Sequence, residues 1–123
     1  MRNRIIPAII MLTVPLFAGA VDRKDADVAL AEASASVEAA ERADAAQYAT
    51  ADMGHARDML ASAHAAYDHR AWTDSFIDSD SAKADANLAA ARSRQHRAEA
   101  TTAELETTVR SLREQLGVAG GQP

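Results

Sequence analysis

Cysteine is absent from this 123-residue chain. Its absence removes disulfides, thiolate nucleophiles and thiolate metal sites. It also removes the acylated cysteine by which a bacterial lipoprotein would be anchored. Large apolar side chains are scarce: one Trp, two Tyr and two Phe are present, against an apolar fraction of 48%. Alanine makes the difference, with 31 residues, about a quarter of the chain. Because alanine buries little area, a sizeable globular core is excluded, and only marginal stability is expected. Basic charge is also short, at 13 Lys and Arg against 18 Asp and Glu. Nucleic-acid binding and electrostatic docking on anionic lipid both require a basic face, so neither fits.

What is present points to helix. The length suits one domain at most. Alanine is the best helix former and β-branched residues are few, so an all-α fold without strand is expected.

The first twenty residues read as an address. Met1–Arg4 is a short basic start, residues 5–17 carry no charge, and Ala18-Gly19-Ala20 places small residues where a signal peptidase reads. Charged residues follow from Asp22. The apolar run is short for a spanning helix and contains Pro7 and Pro15. Residues 1–20 are therefore expected to be a secretory signal cut after Ala20, with an uncleaved N-terminal anchor as the alternative. The expected product is soluble, periplasmic or secreted, and without a lipid anchor.

Residues 21–116 form the expected alanine-rich helical domain, in three stretches. The first runs from about Asp22 to Tyr48, with Leu30, Ala33, Val37 and Ala40 as a weakly apolar stripe. The second runs from Thr50, a candidate N-cap, to about Asp68. Its Met53, Ala56, Leu60, Ala63 and Tyr67 follow steps of 3 and 4. After a connection over residues 68–73, with Thr73 a candidate cap, the third runs to Leu116. Gly117 ends it, and residues 117–123 form a flexible tail. A single heptad seam runs along it without a slip from Ile77 through Ser81, Ala84, Leu88, Ala91, Gln95, Ala98 and Thr102 to Leu105, Val109, Leu112 and Leu116.

The expected architecture is an antiparallel helical hairpin or three-helix bundle with a long, coiled-coil-like C-terminal helix. Its last turns, from about Thr102, should overhang unless the first helix folds back to cover them with Val28 and Leu30. Tyr67, Trp72, Phe76 and Ile77 are expected to cluster at the closed end.

Residues 48–51 (Tyr-Ala-Thr-Ala) at one break, and Ala82-Lys83-Ala84-Asp85-Ala86-Asn87-Leu88-Ala89 in the last helix, carry a resemblance. Over about 75 residues the chain resembles a bacterial envelope family of alanine-rich helical domains of unknown function. That family has an aromatic-alanine-proline break and an A-x-x-D-A-x-L-A signature. Its members are often lipoproteins, or stand before OmpA-like peptidoglycan-binding domains. Here Thr50 replaces the proline, and the lipid-bearing cysteine is missing. The resemblance implies a helical fold and an envelope location; it implies no chemistry.

Residue patterns for catalysis or metal binding are thin. His55 and Met59, like His64 and Asp68, are four apart on a helix, and His69 lies in a turn, but no three ligands share a face. Asp78-Ser79-Asp80-Ser81 is a calcium-loop fragment without the central glycine or closing glutamate, better read as a solvated helix face. No nucleophile elbow or glycine-rich loop occurs. Asp85 either faces water, the preferred reading, or pairs with a base such as Arg57.

The sequence thus indicates a non-enzyme without cofactor, catalytic residue or metal site. It would be a structural or interaction protein of the cell envelope. Its interaction seam is Leu105, Val109, Leu112 and Leu116, serving a second copy or an envelope partner helix. A chaperone-like or metal-handling binding protein is the alternative. The leader yields a direct prediction: mass spectrometry of the exported protein finds Val21 as its first residue. A membrane-bound product retaining Met1 to Ala20 contradicts this.

Overall fold

The structure is a computed structural model that describes residues 19–117. The leader as far as Ala18 and the tail from residue 118 lie outside the described residues. Gly19 and Ala20 are exposed and have no regular structure. The fold is all-α, with four helices and no strand among the described residues: α1 (Arg23–Arg42), α2 (Ala45–Tyr48), α3 (Thr50–Asp68) and α4 (Trp72–Gln115).

Each boundary has a local cause. Asp22 caps α1: its side chain accepts from the Asp25 amide while Asp25 accepts from the Asp22 amide, a reciprocal capping box. The first stretch ends earlier than its sequence suggests. The chain turns at Asp44, which takes the left-handed conformation at φ 60°, and the four-residue α2 follows. Aspartate tolerates this region better than most residues. Thr50 is not the expected cap. Its hydroxyl donates to the Ala46 carbonyl at 3.1 Å, bridging α2 and α3, and Ala49 stands at the N-cap. Nor does Thr73 cap α4, which starts at Trp72 behind Ala71.

The connection between α3 and α4 is a Schellman turn. The Ala71 amide bonds to the Ala66 carbonyl and the Arg70 amide to that of Tyr67, both at 2.9 Å. Arg70 sits at φ 61°, where helices usually place glycine. At the far end Gly117, at φ 66°, stops α4 as its sequence indicates.

α4 is the spine. α3 runs antiparallel to it, as the His55–Asp85, Asp52–Arg92 and Ser62–Asp78 pairings show. α1 runs parallel to it, through Glu32–Lys83 at 2.5 Å and the bond from the Ser93 hydroxyl to the Ala43 carbonyl. The result is a three-helix bundle closed at the top by α2 and at the bottom by the α3–α4 turn.

The core is built almost wholly from small residues. α1 contributes Ala26, Ala33, Val37 and Ala40; α3 contributes Met53, Ala56 and Ala63. Met53 is the largest fully buried side chain, and Leu60 packs at the margin. The expected apolar stripes of the first two stretches therefore face inward.

The closed end is assembled only in part as expected. Tyr67 and Trp72 meet edge to face with ring centroids 5.0 Å apart. The Tyr67 hydroxyl donates to Asp27 and accepts from Arg23, tying the start of α1 to the end of α3. Phe76 is 37% exposed and Ile77 54% exposed, so neither completes the cluster. Ile77 lies on a different face of α4.

Three buried serines on α4 provide a stability test. Ser93 donates to Ala43, a carbonyl at the C-terminal end of α1, whereas the Ser75 and Ser79 hydroxyls are buried without a partner. A buried polar atom without a partner is destabilising, and a buried bond that is removed costs about 1–3 kcal/mol. Urea titration should therefore show Ser93→Ala lowering stability by about that amount. Ser75→Ala and Ser79→Ala should leave it unchanged or raise it by up to about 1 kcal/mol.

Candidate interaction surface

α4 spans 44 residues, about 66 Å at 1.5 Å per residue. Its inward face is the line Ser75, Ser79, Ala82, Ala86, Ala89 and Ser93, all buried. This is a heptad line, stepping by 4 and 3, but it is not the Ile77-to-Leu116 seam. Each inward residue precedes a seam residue by two positions: Ser75 and Ile77, Ala86 and Leu88, Ser93 and Gln95. Two positions turn a side chain by about 200° around a helix, so the lines lie on nearly opposite faces. The helix thus carries two parallel seams. The small-residue seam takes α1 and α3, and the other faces outward along its whole length.

The two seams change character where the bundle ends. From Arg94 onward every described residue of α4 is exposed. The bundle closes opposite Ser93, and the Arg97–Asp44 pair at 3.3 Å marks its rim. Beyond it the inward line continues as His96, Ala100, Ala103, Thr107, Arg110 and Glu114, polar or small where no helix packs. The outward seam does the reverse and becomes Leu105, Val109, Leu112 and Leu116. Their exposures are 60%, 44%, 50% and 76%. Ile77 and Leu88 extend the same exposed line down beside the bundle.

The overhang thus starts at about Ala98, one turn before the expected Thr102, and Ala98–Gln115 is about 27 Å long. α1 does not fold back over it. That helix ends beside Ser93, Val28 is itself 52% exposed, and Val28 and Leu30 lie in its first half, far from Leu105.

The free segment satisfies its threonine hydroxyls on its own backbone, a back-bonding that slightly weakens a helix. The hydroxyls of Thr101, Thr102, Thr107 and Thr108 each donate 2.9 Å to the carbonyl four residues back. A shallow depression along Thr102, Leu105, Glu106, Val109, Arg110 and Arg113 is formed by this one helix alone. It is an open face rather than an enclosed cavity.

Polar pairs rim the bundle. Asp85 does not simply face water, the preferred reading; it pairs across to α3, with His55 in place of Arg57. It is bonded to Nδ1 of His55 at 2.6 Å, while Arg57 reaches Glu41 at 2.9 Å. Sequence reasoning missed His55 because the pairing joins residues thirty apart on different helices. Glu32 beside Lys83 holds that ammonium above the usual lysine range. The Asp78–Ser81 run is continuous helix, with Asp78 accepting from Ser62 and Ser79 buried. It is not the fully solvated face expected. Among the described residues no three His, Asp or Glu side chains converge as metal ligands, and no helix is long and apolar enough to cross a membrane.

Compared with family models, curated proteins and solved structures, the chain gives no match.

Proposed function

We propose that this protein is a non-enzymatic interaction protein of the bacterial cell envelope, exported by its N-terminal leader and acting through helix–helix contact on the outer face of α4. One observation carries the reading: the most apolar stretch of the longest helix, Leu105, Val109, Leu112 and Leu116, has no intramolecular partner among the described residues. A solvated overhang needs no apolar seam. Leaving these side chains in water forgoes roughly 1.5–3 kcal/mol for each that full burial would gain. The envelope location rests on the three-part leader and on the resemblance of the Ala82–Ala89 segment to envelope domains. A chaperone-like role would use the same exposed stripe, but a single helix face supplies no clasp around a client.

Sedimentation of the mature protein with and without Leu105→Ser/Leu112→Ser tests the reading. The unaltered protein should associate. The double variant should weaken association by about 100-fold or more while keeping the helicity of the bundle. A protein that stays monomeric at all concentrations, with apolar-dye binding unchanged by the substitutions, contradicts it.

A further inference from the structure

We infer that the occupant of the outer α4 seam is a second copy of this chain, lying antiparallel and in full overlap; this rests on the helix-contact reading above. The argument begins with length. Six seam positions, Ile77 to Gln95, lie alongside the bundle, and six, Ala98 to Leu116, lie on the free segment. The two halves are equally long, so each overhang covers the outer face of the other copy's bundle. The two-fold axis falls between Gln95 and Ala98, and no seam position is left over. Such an interface is isologous and closed.

Side-chain size follows the same logic. In this register Leu116 meets Ile77 of the second copy, Leu112 meets Ser81, Val109 meets Ala84 and Leu105 meets Leu88. Two of the four large overhang residues, Leu112 and Val109, oppose small residues of the bundle half, and the other two, Leu116 and Leu105, meet its two large ones. All six of the exposed large apolar residues on this seam become covered. A parallel dimer would set each seam residue against its own copy, with Ser81, Ala84 and Ala91 small on small and Leu105, Leu112 and Leu116 leucine on leucine. A shorter tail-to-tail overlap would leave Ile77 and Leu88 in water.

Charge points the same way. The antiparallel register sets Arg113 against Asp78, which already accepts from Ser62, and Arg92, which is already paired with Asp52, against Glu99 of the second copy, each twice by symmetry. It also sets Glu106 near Asp85, whose carboxylate is already engaged by His55. The parallel register gains Arg94 beside Glu99 but opposes Asp80 to Asp85. Its one further advantage is Val109 at an a position between leucines at d, a pattern suited to parallel pairs.

The absence of native cysteine makes the test clean. Ser81→Cys, Leu112→Cys and the combined variant are purified, checked for unchanged helicity and mildly oxidised, and interchain disulfides are read on a non-reducing gel. A disulfide requires Cα atoms within about 7 Å, so it reports register. The inference predicts covalent dimers for Ser81→Cys/Leu112→Cys and background for either single variant. Efficient cross-linking of Leu112→Cys alone indicates a parallel pair. Cross-linking of Val109→Cys/Leu112→Cys, with none for Ser81→Cys/Leu112→Cys, indicates tail-to-tail overlap. Either overturns the full antiparallel register while leaving α4 as the contact face. No cross-link in any variant, with a monomer by sedimentation, overturns the register and the helix-contact reading together.

Discussion

The structure depends on the narrowness of one helix face. α4 must accept both α1 and α3 along Ser75, Ser79, Ala82, Ala86, Ala89 and Ser93, and every side chain on that line is alanine or serine. Small residues let helix backbones approach closely, so packing contact replaces the large apolar area this chain lacks. The cost is a thin core. Met53 is its largest fully buried side chain, and polar pairs such as Arg92–Asp52 and Lys83–Glu32 supply alignment along the rim. Exposed pairs of this kind contribute at most about 1 kcal/mol each, so they set register more than stability.

That same constraint sends the large apolar residues elsewhere. A leucine or isoleucine on the inner line would push α1 and α3 away. Ile77 and Leu88 stand on the opposite face, continuous with Leu105, Val109, Leu112 and Leu116. α4 thus packs its own bundle with the line of small residues and leaves the line of large ones exposed.

Much of this was legible in the sequence. The stripes Leu30–Ala40 and Met53–Tyr67 were readable because 3- and 4-residue spacing has one geometric meaning in a helix. Gly117 was readable as a stop because glycine takes the left-handed conformation freely. The turn at Asp44 was not, because an aspartate gives no comparable signal. Neither was Arg70 as the residue that occupies the corresponding position after α3. The inner line of α4 was hidden by composition. Ser75, Ser79 and Ser93 look like surface residues, and the eye follows the leucines. Hydropathy drew attention to the leucine line but could not show that the bundle uses the other face. Long-range partners such as His55 and Asp85 depend on how α3 sets against α4, which no local pattern encodes.

Amide hydrogen exchange along α4, measured at low and at high protein concentration, tests the two-seam account most directly. Amides alongside the bundle, to about Gln95, should be protected at both concentrations, because α1 and α3 cover that stretch in every molecule. Amides from Ala98 to Gln115 belong to a helical stretch that no other described segment packs against, and most helical stability in proteins comes from such packing. They should exchange fast in dilute solution and slow markedly as concentration rises. Overhang amides whose exchange rate is the same at both concentrations would contradict the claim that the outer seam is where this protein meets its partner.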